Sequence, residues 1–153
     1  MSIGFADLVK IAECDYMACK AMEEHFPDEF AVRTALYHLQ QAVEKLLKAV
    51  IIYNGEHPAF THDIGKLADH CKALGESFSD NLDDISDSLT LWESKSRYDP
   101  YISFSKRKYD KAKNIYDEIH EKLVQEITPV YENEESEVLE YEEQNEEQGM
   151  TMS

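Results

Sequence analysis

One stretch of the chain carries several polar side chains at spacings that could form a binding site. Within residues 39–49 these are Gln41, Glu44, Lys45 and Lys48. At about 100° per residue, all four lie on one arc of a helix. Gln41 and Lys45 are i,i+4 neighbours, as are Glu44 and Lys48, so pairing on a solvent-exposed face explains the pattern by itself.

Two further pairs could do chemistry. Arg97-Tyr98 could hold a phosphate on the guanidinium, with the phenol stacking or hydrogen-bonding beside it. Alternatively, Arg97 pairs with Asp99 or with a helix-end carbonyl, and Tyr98 packs into the core. His62-Asp63 opens a predicted helix, where a carboxylate is favourable near the exposed N–H groups and the imidazole packs over the loop.

The histidines do not predict a metal centre. His62 and His70 share a helix face but lie about 12 Å apart along its axis, which is too far for both to bind one ion. His57 would have to fold inward in some other way to help. The sequence contains no glycine-rich phosphate loop and no G-x-S-x-G element, so we predict no metal and no cofactor.

The strongest helical signal is the segment that carries the polar arc, predicted over about residues 30–53. Its apolar positions recur at alternating steps of four and three: Val32, Leu36, Leu39, Val43, Leu46 and Val50. Asp28 is a suitable N-cap, and Asn54-Gly55 predicts the end of the helix.

Four other helices complete the expected fold. Their predicted bounds are about 2–25, 62–74 with Thr61 as the cap, 81–94 and 105–127, with an irregular segment at 97–104. Only five glycines and four prolines are present, which favours a few long helices over a many-stranded sheet. We therefore predict an all-α antiparallel bundle of four to five helices over residues 1–130.

Residues 131–153 are predicted to form a disordered acidic tail. From Glu132 onward there are nine acidic residues and no lysine or arginine, out of a net charge of -17 for the chain. The remaining charge of about -8 excludes nucleic-acid binding by bulk charge and leaves only local basic patches. The sequence contains three cysteines without a C-x-x-C motif and shows no signal segment, and its longest apolar run is residues 49–53. We therefore predict a soluble cytoplasmic protein without a membrane span.

Three segments in combination resemble one family. They are HLQQAVEKLLKAV at 38–50, THDIGKL at 61–67 after Pro58, and SRYDP at 96–100. The chain, over about residues 4–124, is similar to the HEPN domain, in particular to the branch encoded beside a minimal nucleotidyltransferase. That resemblance implies a helical bundle that usually forms a homodimer, a nucleotide or RNA ligand, and a nucleotidyltransferase partner.

Many HEPN members are metal-independent ribonucleases that use an arginine followed four to six residues later by a histidine. Arg97 matches the arginine, but no histidine follows until His120. A literal Arg-x4-His at Arg33 and His38 lies in the second helix instead, with the two side chains about 140° apart, so it is read as coincidental.

The resemblance therefore favours a binding module that is the non-catalytic companion of a nucleotidyltransferase, with no catalytic residue assigned. The ligand-binding candidates are Arg97, Tyr98, His62, Asp63, Lys45, Lys48 and Glu44. Two alternatives stay open. One is a divergent ribonuclease of a toxin–antitoxin system in which Tyr98 or Tyr101 replaces the histidine. The other is a dimeric scaffold.

Overall fold

The computed structural model describes the backbone of residues 4–147 and the side chains of residues 4–126. Five α-helices follow one another: α1 (Phe5–Met22), α2 (Glu29–Tyr53), α3 (Ile64–Ala73), α4 (Asp80–Tyr98) and α5 (Lys106–Glu147), with a 3-10 turn at Glu23–His25. No strand occurs in the described backbone. None of the helices, over the residues described, is long and apolar enough to span a membrane. The all-α prediction is confirmed.

The chain divides into two units, Met1–Leu123 and Val124–Ser153. The first holds α1 to α4 and the beginning of α5. In the second, the described backbone at 124–147 continues α5, so the helix does not end at the predicted residue 127. The side chains of residues 131–153 and the backbone of residues 148–153 lie outside the described residues. The disorder of the tail therefore stays a prediction.

Contacts between the helices of the first unit show an antiparallel arrangement. Lys113 and His120, in ascending order on α5, meet Glu23 and Glu13, in descending order on α1. The beginning of α2 similarly lies at the end of α4, where Arg33 bonds the main chain. Neighbouring helices joined by short connections are expected to run in this way.

The core is built around α2, as its apolar periodicity predicts. The stripe residues of α2 are nearly or fully buried, and each fully buried leucine contributes roughly 1.5–3 kcal/mol relative to an exposed one. Asp28 caps the helix by accepting hydrogen bonds from the main-chain N–H groups of Phe30 and Ala31. Gly55 follows the helix with φ +85°, a left-handed conformation that favours glycine. Both end signals are confirmed.

Helices α3 and α4 differ from their predicted bounds. Asp63, and not Thr61, is the N-cap of α3: its carboxylate accepts from Lys66 N at 3.1 Å. The Thr61 hydroxyl instead accepts from Asp63 N. Helix α4 extends through Tyr98, so Arg97 belongs to its last turn and not to an irregular segment.

Candidate functional site

A buried carboxylate organises part of the predicted polar arc. The Glu44 side chain is only 5% exposed. Its Oε1 accepts hydrogen bonds from Gln40 Nε2 at 3.0 Å and His62 Nδ1 at 2.8 Å, and its Oε2 accepts from Lys48 Nζ at 3.2 Å. A carboxylate this far from water is stable only with such donors around it. The arc is therefore not a solvent-exposed face at Glu44, although the Glu44–Lys48 pair is confirmed.

The same carboxylate orients His62. The imidazole uses Nδ1 on Glu44, while 55% of the side chain is exposed. A donor role for Nδ1 toward the carboxylate leaves Nε2 as the nitrogen available to solvent. Asp63 fixes this segment because it caps α3. His62 thus pairs with α2 and does not merely pack over the loop, as the alternative explanation required.

Lys45 belongs to a different cluster, centred on Asp15 of α1. Lys45 Nζ donates to Asp15 Oδ2, and His38 Nδ1 lies 2.8 Å from Asp15 Oδ1. The Asp15 side chain is 13% exposed. Sequence reasoning did not select Asp15, although it stands three residues after Ala12 and four before Cys19, which are both buried. Residues three and four positions apart lie on the same face of a helix, so this spacing could have indicated that the Asp15 carboxylate faces the bundle.

The end of α4 presents the second predicted pair. Arg97 donates to Glu93 Oε1, and its guanidinium carbon lies 5.3 Å from the centroid of the Tyr98 ring. Glu93 is buried, whereas Tyr98 is 77% exposed. Arg97 therefore pairs with Glu93 and not with Asp99, and Tyr98 does not pack in the core. Within residues 4–126, no hydrogen bond or ion pair joins Arg97 to the Glu44 or Asp15 cluster.

Arg33 holds this end of α4 in place. Its Nη1 donates to Ser96 O at 3.1 Å and to Asp99 O at 2.6 Å, with a longer contact to Lys95 O at 3.4 Å. These carbonyls include acceptors that a helix end leaves without partners. Arg33 and His38 therefore serve different clusters, as their angular separation on α2 predicts.

The α4 end, defined here as Lys95, Arg97 and Tyr98, combines two cations with an exposed aromatic ring. Tyr98, Lys95 and Pro100 border an open depression of about 380 Å³. Guanidinium binds phosphate through two parallel hydrogen bonds, and an exposed ring can stack on a planar group. Asp99 lines the same depression, whereas Arg97 is not among its lining residues.

The sequence model of the HEPN domain family matches residues 6–127, about four fifths of the chain. The chain belongs to the HEPN domain family. Comparisons with curated proteins and with solved structures give no significant match. The matched region begins at the second residue of α1 and includes α2 to α4, the Glu44 and Asp15 clusters and the α4 end.

This HEPN domain lacks the ribonuclease pattern at the position where the resemblance places it. The residues four to six positions after Arg97 are Tyr101, Ile102 and Ser103. Tyr101 is 88% exposed. The histidines described above, His38, His62 and His120, pair with carboxylates in other parts of the bundle. Arg97 therefore has no imidazole after it at the spacing that the cleavage chemistry uses.

Proposed function

We propose that this HEPN domain binds a nucleotide-containing ligand at the α4 end without cleaving it, as the companion of a nucleotidyltransferase. The observation that carries the proposal is the Arg97–Tyr98 pair on the last turn of α4. A partly exposed guanidinium stands there beside an exposed aromatic ring. The companion role rests on the resemblance of segments 38–50, 61–67 and 96–100 to the nucleotidyltransferase-associated branch.

Arg97 is held in one orientation by Glu93, and its side chain remains partly accessible to a phosphate group of a ligand. Its side chain is 45% exposed, and its partner Glu93 is 10% exposed. The buried carboxylate fixes one edge of the guanidinium, which leaves further N–H donors to face a ligand. Because orientation is already fixed, less conformational entropy is lost when a phosphate binds.

Tyr98 supplies the second half of the recognition. Its ring is largely exposed and adjoins the guanidinium. Because the ring packs little against the rest of the fold, its exposed surface can contact a base. Stacking of a base on an aromatic side chain contributes about 1–3 kcal/mol. Phosphate on Arg97 and base on Tyr98 together describe a nucleotide.

Binding without cleavage follows from the missing imidazole. Cleavage through attack of an RNA 2′-hydroxyl requires a group that accepts and returns a proton near neutral pH. A tyrosine phenol is a much poorer proton acceptor than an imidazole at neutral pH. The two tyrosines near Arg97 therefore do not restore the chemistry of the histidine.

Titration calorimetry with ATP tests the proposal. We expect saturable binding by the unmodified chain and at least tenfold weaker binding by Arg97→Ala and by Tyr98→Ala. Arg107→Ala is the matched control, because Arg107 is exposed in the first turn of α5 and its loss changes the net charge equally. Flat titrations with ATP and the other nucleoside triphosphates would reject a nucleotide site at the α4 end.

Incubation with total RNA separates the proposal from the ribonuclease alternative. We expect intact RNA. Cleavage that Arg97→Ala abolishes would establish a ribonuclease, and Tyr101→Phe would then test the phenol that stands four residues after Arg97 and is 88% exposed. If the protein neither binds nucleotides nor cleaves RNA, the dimeric scaffold remains as the explanation. Sedimentation of the full chain would then measure whether it forms a dimer.

A further inference from the structure

A second cleft, distinct from the α4 end, opens between α1 and the first part of α5. Its volume is about 610 Å³, within the range of small-molecule sites. Aromatic, apolar and acidic side chains line it together: Tyr16, Tyr116, His120, Met17, Glu13 and Asp117. Met17 is 74% exposed, so an apolar side chain of considerable size faces the solvent there.

The rings in this α1–α5 cleft form one near-parallel stack. The centroids of Tyr16 and Tyr116 lie 3.8 Å apart at an interplanar angle of 19°, and those of Tyr116 and His120 lie 5.3 Å apart at 15°. Lys20 places its ammonium 5.6 Å from the Tyr16 centroid. A cation within about 6 Å of a ring face is attracted by the ring quadrupole. The cleft therefore already accepts one ammonium group.

Two carboxylates, those of Glu13 and Asp117, outnumber the single ammonium of Lys20 around the stack, and this balance favours a cation. Burial and the neighbouring Asp117 carboxylate raise the pKa of Tyr16, and burial and Glu13 raise that of Tyr116, so both phenols stay neutral. Glu13 also lies 3.0 Å from His120 Nε2. These carboxylates repel phosphate groups and attract ammonium groups. A nucleotide, the ligand proposed for the α4 end, would be unfavourable here.

We infer that the α1–α5 cleft binds a small organic polyamine. Its ammonium groups meet Asp117, Glu13 and the Tyr16 ring, while its methylene segments lie against Met17. The lining residues of α1 run from Glu13 to Ala21, which extends about 12 Å along the helix and suits a linear chain. The Lys20 side chain occupies the position of one ligand ammonium and must move aside.

Calorimetric titration of the full chain with spermidine in 0.15 M salt tests this inference. Asp117→Asn should weaken binding about fivefold, the factor that corresponds to about 1 kcal/mol. Asp69→Asn, a loss of the same charge from an exposed position on α3, should leave it unchanged. Lys20→Ala should bind severalfold more tightly than Lys66→Ala, because only Lys20 competes for the Tyr16 ring.

The matched pairs separate the site from diffuse attraction to an acidic chain. If spermidine bound instead to the acidic residues after Tyr131, both variants of each pair would have the same affinity for it. Equal affinities within the pairs, or no saturable heat, would overturn the inference. Ring NMR signals of Tyr16 and Tyr116 should shift on binding, and unchanged signals would contradict it even if heat is observed. Urea midpoints of all variants verify that they fold.

Discussion

Replacing Arg33 by alanine should destabilise the end of α4 although Arg33 belongs to α2. Its guanidinium is the donor that reaches Lys95, Ser96 and Asp99, whose carbonyls lie in or directly after the last turn of α4. Alanine removes the donor of the Ser96 and Asp99 carbonyls, whereas Lys95 O keeps its hydrogen bond from Asp99 N. A positive charge is also lost from the C-terminal end of a helix, where it is favourable.

The structure sets the magnitude. Two of the three contacts, at 2.6 and 3.1 Å, have good hydrogen-bond distances, and the Arg33 side chain is 21% exposed. Hydrogen bonds to a charged group contribute roughly 1.5–3 kcal/mol each, and partial exposure reduces that to about 1–2. We therefore expect Arg33→Ala to lower the free energy of unfolding by about 2–4 kcal/mol.

Urea denaturation followed by helical circular dichroism measures this loss, with an unchanged slope showing that the transition is comparable. Arg33→Lys keeps the charge but not the planar fork, so it should lose about half as much. Arg107→Ala is the control for removing an exposed arginine. Amide exchange should accelerate at Asp99, whose N–H bonds Lys95 O, because the last turn of α4 frays.

The result also bears on function, since Arg33 supports the turn that carries Arg97 and Tyr98. If the α4 end binds a nucleotide, Arg33→Ala should weaken binding without touching the ligand. A loss of stability below about 0.5 kcal/mol, the range of ordinary surface substitutions, would refute the role of Arg33 as a cap on α4.

Two other predictions concern buried groups. Glu44→Gln should lower the free energy of unfolding by about 2–3 kcal/mol in urea, because Lys48 and His62 lose a charged acceptor in a buried place, whereas the same change at the exposed Glu121 should have little effect. In the native protein only the exposed Cys14 should react rapidly with a thiol reagent at pH 8, since burial raises the pKa of Cys19 to about 11 and that of Cys71 to about 12. All three thiols should react in denaturant, and a second fast thiol in the native state would contradict the burial of these cysteines.

The sequence predicted those features that one helix determines by itself. The stripe from Val32 to Val50 indicated which face of α2 is buried, Asp28 indicated where the helix begins, and Gly55 indicated where it ends. Helical periodicity and capping depend on residues within a few positions of each other, so local spacing is sufficient. The family resemblance rested on the same local segments, and the match over residues 6–127 confirms it.

Only the tertiary structure decided which side chains meet. Glu44 and Lys45 are neighbours in sequence, yet one is buried against His62 and the other reaches Asp15 on α1. Arg33 caps a helix whose end is more than sixty positions away. Periodicity shows which face of a helix is apolar but not which partner packs against it, because that depends on how the helices are arranged. The same limit concealed the cleft between α1 and α5, whose two walls are about a hundred residues apart in the chain.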